Sequence, residues 1–324
     1  MTGNGDLRWL DAAARLALRG RPLSRPNPAV GCVIVAEGKL VGRGWTQAGG
    51  RPHAEAVALD QAGEAAKGAT AYVTLEPCAH DSARGPACAD LLAKARPARV
   101  VIGCEDPDPR TRGKGAERLR KAGIQVDLLD HAPSRASLSG YLVRAAQNRP
   151  HVTLKLALSL DGCIALGDGS SRWITGEIAR AHVHSRRAMA DAILVGGATW
   201  RADKPSLDVR LPGLETRSPL RVILTRGVPP DGVKVINEPS QIAALDDAQY
   251  LYVEGGAGVA TGFLGEDLVD RLEIYRAPIV IGGGRASVHD IGLTDLAEAH
   301  GRWSLAERRQ LGPDGFEAFV RIRA

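Results

Sequence analysis

Apolar positions recur along the chain with two periods. Trp9, Leu10, Ala13, Leu16 and Ala17 fall at the i, i+1, i+4, i+7, i+8 spacing of an amphipathic helix, which Gly20 and Pro22 terminate. Short β-branched runs then alternate with helix-forming stretches. Strands are expected over residues 30–35, 71–75, 100–103 and 124–129. Helices are expected over 54–66, from Pro86 to Ala95, and over 116–122 with Gly123 as the stop. The alternation predicts a three-layer α/β domain with a largely parallel sheet.

Asn148, Arg149 and Pro150 break this pattern, because proline disfavours helix in the residue before it and a new strand pattern begins at Val152. Two domains are expected, 1–149 and 150–324. The second predicts strands at 152–158, 192–195, 220–224, 250–253 and 272–275 and a helix at 178–189. Residues 316–323 alternate with period two, as an antiparallel final strand would. A length of 324 residues agrees with two domains at about 150 residues each.

Composition narrows the class. With 44% hydrophobic and 24% charged residues the chain reads as folded, neither disordered nor fibrous. The longest apolar runs fall well short of the ~20 residues that span a bilayer. The first ten residues carry neither a basic nor an apolar leader pattern, so the cytoplasm is the expected location. Five cysteines (32, 78, 88, 104 and 163) are odd in number and too sparse for a disulfide framework. The net charge of +5 is uneven: residues 1–149 hold 22 Lys/Arg against 15 Asp/Glu, and residues 150–324 hold 20 against 22. A basic half without a dense Lys/Arg run suits a small anionic substrate about as well as a polynucleotide.

Candidate chemistry in the first half gathers in His53-Ala-Glu55 and Glu76-Pro-Cys78, with Cys88 further on. One imidazole and two thiolates supply three zinc ligands and leave a fourth tetrahedral position for water, as in catalytic sites. Glu55 stands where a proton shuttle belongs, and Pro86 places Cys88 at a helix start, where the dipole favours thiolate. The ordinary reading, that cysteines are small buried apolar residues, suits Cys32, Cys104 and Cys163, which lack such company.

His-Ala-Glu followed by Pro-Cys resembles the zinc-dependent cytidine deaminase superfamily. The longer loop from Cys78 to Cys88, together with Arg25-Pro-Asn-Pro and Glu105-Asp-Pro-Asp-Pro, is similar to the riboflavin-biosynthesis deaminases. That resemblance implies substrate contacts at Asn27, His80, Arg84 and Asp106.

In the second half, Lys155-Leu-Ala-Leu-Ser-Leu-Asp-Gly, Ser171-Arg-Trp-Ile-Thr, Gly196-Gly-Ala-Thr-Trp-Arg-Ala-Asp and Glu254-Gly-Gly-Ala-Gly follow in order. Together they resemble the reductase domain of the bifunctional riboflavin enzymes, a relative of dihydrofolate reductase. The resemblance implies NADPH contacts at Ala157, Trp173, Thr199 and Asp203 and along a loop of Gly256, Ala257, Gly258, Val259, Ala260, Thr261 and Gly262. It implies substrate contacts at Ser171, Arg187, Leu207, Arg210 and Glu254, with the arginines on a ribose phosphate and Lys155 polarising the carbon that receives hydride. The fold expected is a cytidine-deaminase-like three-layer domain followed by a dihydrofolate-reductase-like α/β domain. The expected protein is a homo-oligomeric bifunctional enzyme acting on a phosphoribosylaminopyrimidine, with Zn2+ and NADPH, and with neither nucleic acid nor membrane as partner.

Only 28 residues separate Thr225 from Glu254, fewer than the resemblance implies, in a segment that helps grip the adenosine end of the dinucleotide. A deaminase with an inactive reductase-like domain therefore stays open. So do a transfer-RNA-type deaminase with a C-terminal binding module and a zinc-stabilised sensor of a flavin precursor.

Overall fold

Five strands form the first sheet: β1 (Gly31–Ala36), β2 (Lys39–Trp45), β3 (Thr70–Val73), β4 (Arg99–Ile102) and β5 (Gln125–Leu128), ordered β2-β1-β3-β4-β5. A computed structural model describes residues 4–80, 84–228 and 231–323, and divides the chain into two units, Met1–Asn148 and Arg149–Ala324. The expectation of a largely parallel first sheet is corrected: β3, β4 and β5 run parallel, but β1 is antiparallel to both β2 and β3. The β1–β2 pairing follows from a two-residue hairpin at Glu37-Gly38, both with positive φ as a type I′ turn requires. Strand β2 escaped the sequence pattern because Gly42 and Gly44 interrupt its apolar alternation. Those glycines have a packing reason: a Cβ at either would meet the carbonyls of Ala58 or Ala54 at 2.2 Å. They let helix α2 (Ala54–Ala62) lie directly on β2.

The helices of this unit are α1 (Asn4–Ala17), α2, α3 (Cys88–Ala95), α4 (Lys114–Lys121), α5 (Ala132–Ser137) and α6 (Ser139–Gln147). Alternate strand residues point to opposite faces. Cys32, Ile34, Val73, Val100 and Ile102 pack with Ala58, Leu92 and Leu119, while Val33, Val35, Tyr72 and Val101 pack with Leu10 and Ala13 of α1. The three layers follow from that alternation.

The second unit carries β6 (His151–Leu158), β7 (Cys163–Ala165), β8 (Ala192–Gly196), β9 (Leu220–Leu224), β10 (Lys234–Ile236), β11 (Tyr250–Val253), β12 (Arg271–Arg276), β13 (Arg285–Ala286), β14 (Trp303–Leu311) and β15 (Asp314–Arg321). Its main sheet is ordered β10-β9-β8-β11-β6-β12-β15-β14. The first six strands in that order are mutually parallel, and the last two are antiparallel additions. Helix α7 (Glu177–Arg187) packs on the face carrying Ile193, Tyr252, Tyr275 and Phe316. Helix α9 (Ala257–Gly265) covers Leu154, Leu194 and Val253 on the other. A short helix α8 (Gly197–Asp203) follows β8. Among the described residues no helix is long and apolar enough to cross a membrane.

Arg149 belongs to the second unit for a physical reason. Its guanidinium makes a two-pronged, buried ion pair with Asp270 at 2.7 and 2.9 Å, and the same carboxylate accepts from the Val152 amide at 2.8 Å.

Candidate active sites

Two helix starts and one loop converge at the first site. His53 is the extended residue just before α2, Glu55 lies in the first turn of that helix, and Cys88 is the first residue of α3. Pro86 is not itself helical: Ala87 is still extended, and the helix begins at Cys88, two residues later than the proline signal implied. Cys78 follows β3. His53 Nδ1 stands 3.2 Å from Cys88 Sγ and 3.6 Å from Cys78 Sγ, and the three donor atoms lie within 4.8 Å of one another. Tetrahedral zinc bonds of ~2.0 Å to nitrogen and ~2.3 Å to sulfur put those atoms about 3.5 Å apart. The donor set therefore fits zinc in both chemistry and spacing.

The charge pattern agrees. The hydrogen bond from Cys88 pulls the Cys78 thiol down to about 4, while that same bond and burial push Cys88 up against the helix-start expectation, so without a metal the pair holds one thiolate and the second proton leaves as zinc binds. Glu55 is 3% exposed, and its burial raises its pKa to about 7, the range in which a carboxyl both takes and gives a proton. The Asn27 amide lies 3.1 Å from His53 Nε2 and donates to the Gly50 carbonyl at 3.0 Å, which steers the ring so that Nδ1 faces the sulfurs.

The other expected residues of this unit surround that centre unevenly. His80 Nδ1 contacts the Thr111 hydroxyl at 3.3 Å, and Arg84 donates to the Gly49 carbonyl at 3.0 Å. Asp106 is buried, accepting from the Tyr141 hydroxyl at 2.7 Å and the Asp108 amide at 3.0 Å. Sequence reasoning set Glu76 in a motif but gave it no role. Its buried carboxylate accepts from the amides of Gly113 and Ala116 at 3.0 Å each and ties the Cys78 loop to the start of α4. Gly115 completes the joint, because a Cβ there would meet the Pro77 carbonyl at 2.0 Å. No local pattern reveals a cap whose partner lies 40 residues away.

At the second site the strand register does the assembling. Lys155 on β6 is laterally paired with Glu273 on β12. On its other side, 3.9 Å from its Nζ, lies the carboxylate of Glu254, the residue after β11. Burial lowers the Lys155 pKa against the pull of both carboxylates. Glu254 in turn grips Arg187 of α7 in two parallel bonds, 2.6 and 2.9 Å. Arg187 also donates to the Asp208 carbonyl at 3.0 Å. Arg210 is exposed, its guanidinium on Asp208 at 2.9 Å and on the Ser206 hydroxyl. Leu207 is buried at φ +55, and Ser171 is exposed. Glu273, a buried residue that sequence reasoning missed, accepts from Tyr252, Arg271 and Arg186.

The expected cofactor residues sit around the C-terminal ends of the parallel strands. Thr199 of α8 faces Gly256, 3.7 Å from where a Cβ of Gly256 would lie. Asp203 is held by Arg172, next to the exposed Trp173. Ala157 lies on β6 opposite Tyr275. One correction concerns residues 256–262: they are not a loop, since Gly256 is the N-cap and Ala257 to Gly262 are the opening turns of α9. Val259, Ala260 and Phe263 bury the apolar side of that helix, which makes the segment helical. A dinucleotide phosphate fits here by its chemistry, because Gly255 has no room for a Cβ against Val259 and the amides of a helix start favour an anion. The short segment after Thr225 is built as the edge strand β10 and a turn of 3₁₀ helix, Pro239–Ala244.

Comparison with known proteins bears on both units. Residues 4–104 match the family described as "Cytidine and deoxycytidylate deaminase zinc-binding region", and residues 150–315 match the "RibD C-terminal domain". The riboflavin biosynthesis protein RibD of Haemophilus influenzae is 39% identical over 95% of each chain. The chain belongs to the RibD family. A RibD structure from Acinetobacter baumannii superposes with a TM-score of 0.86 at 36% identity, covering 98% of this chain and 99% of that one. A Thermotoga maritima structure described as a diaminohydroxyphosphoribosylaminopyrimidine deaminase/5-amino-6-(5-phosphoribosylamino)uracil reductase gives 0.86 at 29% identity over the same shares. As a RibD protein the chain is a bifunctional enzyme of riboflavin biosynthesis, joining a zinc-dependent deaminase to an NADPH-dependent reductase.

Proposed function

We propose that the first unit hydrolytically deaminates 2,5-diamino-6-(5-phosphoribosylamino)pyrimidin-4-one and that the second reduces the ribosyl chain of the product to ribityl. The observation that carries the first half is the buried Glu55 carboxyl beside the His53, Cys78 and Cys88 donor set. Zinc bound by those three side chains supplies a Lewis acid that acidifies water. Glu55 is the proton carrier: its carboxylate takes one proton from the attacking water and gives it to the ring nitrogen, then takes the second from the added hydroxyl and gives it to the departing amine, so that water is consumed and ammonia released. Asn27 orients His53 from outside, while His80, Arg84 and Asp106 border the pyrimidine and its phosphoribosyl arm.

In the second unit NADPH supplies hydride, and Thr199, Asp203, Trp173, Ala157 and the opening residues of α9 hold it. Lys155, flanked by Glu254 and Glu273, carries a proton at Nζ toward the heteroatom of the carbon being reduced. Ser171, Leu207 and Arg210 border the substrate, and Arg187 with Glu254 forms its floor. Residue roles in this unit follow the motif order of the family, supported by the convergence of Lys155, Glu254 and Arg187.

Free thiols at all five cysteines support a reducing, cytoplasmic setting. The open edge of β14 supports assembly with further copies of the chain. The test is to supply the phosphoribosylaminopyrimidine with NADPH and follow ammonia and the nicotinamide absorbance. Ammonia with cofactor oxidation is expected; ammonia alone would reduce the second unit to an inactive relative.

A further inference from the structure

Arg51 is a cation beside the metal-binding side chains that the chemistry above leaves unused. It lies two residues before His53, half-buried, and its Nη1 donates to the Pro86 carbonyl at 3.4 Å, two residues before Cys88. From the opposite loop, Arg84 donates to the Gly49 carbonyl at 3.0 Å. Each loop that carries a metal-binding side chain thus sends a guanidinium to the backbone of the other. Gly85 makes the approach possible: at φ +139 it has no side chain, and a Cβ there would lie 3.0 Å from Arg51 Nη1.

Several arginines of this unit are neutralised. Arg99, Arg110, Arg112, Arg118 and Arg135 each hold a carboxylate at 3.1 Å or less. Among the described residues Arg51 has no carboxylate within 4.0 Å, and a single long bond to a carbonyl leaves most of its five donors to other acceptors. A guanidinium with free donors matches a phosphate monoester in two-pronged geometry. The neighbouring metal-binding side chains fix where the reacting ring would sit, so such an anion would be the far end of the same molecule.

We infer that Arg51 is a specificity-determining residue of the deaminase site, anchoring the phosphate monoester on the ribosyl arm of the substrate. This rests on the deaminase reading above. The experiment compares the full-length wild type with Arg51→Ala and Arg51→Lys on the phosphorylated substrate and on its dephosphorylated riboside, with zinc content measured for each. Direct binding of ribose 5-phosphate is measured by calorimetry alongside. Arg51→Ala should raise KM for the phosphorylated substrate about 10- to 100-fold, the loss of one charge-assisted contact. Its kcat and its KM for the riboside should hold, and Arg51→Lys should recover part of the loss. Ribose 5-phosphate should bind the wild type more tightly than Arg51→Ala. Equal losses on both substrates, an unchanged KM, or zinc loss in Arg51→Ala would reduce Arg51 to a strap between loops and overturn the proposal. If wild type deaminates neither substrate, the deaminase reading fails by itself. The anion site is then judged on the binding arm, where equal affinity for ribose 5-phosphate in wild type and Arg51→Ala overturns it.

Discussion

Lys155 on β6 and Glu273 on β12 are lateral neighbours across a parallel strand pair, with Glu254 on the far side of the lysine. Burial lowers the lysine's pKa, and the two carboxylates work against that fall, with Arg187 opposing them. Replacing Glu273 by Gln removes a charge that favours the ammonium form. The alkaline limb of the reductase kcat/KM profile should therefore move to lower pH, by about one unit. A pH series of NADPH oxidation checks this, and an unmoved limb would separate Lys155 from the proton step.

The pair formed by Arg187 and Glu254 is buried on both sides, at 13% and 10% side-chain exposure. Removing one partner strands the other charge, so Glu254→Gln or Arg187→Met alone should cost about 3–5 kcal/mol. The double replacement Arg187→Met with Glu254→Met should recover much of that stability while reduction stays lost. Denaturant titration of the three variants measures the coupling.

Cys78→Ser and Cys88→Ser each remove a thiolate from the donor set. Zinc content should fall from about one per chain toward zero and deamination should stop. NADPH oxidation on a pre-deaminated substrate should persist, because the second unit has its own two-sided core. Loss of both activities would show that the units do not fold independently.

Glu55→Gln should keep zinc and lower deamination by about 10²- to 10⁴-fold, the usual size of a lost proton carrier. Elemental analysis beside an ammonia assay decides it. Unchanged turnover with zinc in place would exclude Glu55 as that carrier.

Asp270 gives an acid limit to the second unit. Burial raises its pKa, but the hydrogen bond from Arg149 and the charges of His151 and Arg149 outweigh that, so the net shift is downward. Its contribution is complete above the unfolded value of about 3.9 and is lost as pH falls through the lower folded value. Melting curves from pH 5 downward should fall more steeply for wild type than for Asp270→Asn. The variant should already be about 3–5 kcal/mol weaker at neutral pH.

The amino-acid sequence by itself determined the two α/β units and marked out the candidate metal-binding trio and the proposed proton carrier, because each is written in local periodicity or in a short motif such as His53-Ala-Glu55. Fold class followed from strand and helix periods, and the family from motifs in order. What only tertiary structure decided are relations between distant residues: the antiparallel start of the first sheet, the helical state of residues 257–262, the cap that Glu76 places on α4, and the row of Glu254, Lys155 and Glu273. Strand order and register bring those groups together across 19 to 118 positions of chain. A buried carboxylate finds its partners through that packing, which no local spacing encodes. Arg51 belongs to the same class: its position beside the metal-binding loops depends on Gly85 and Pro86, which only the folded chain sets against it.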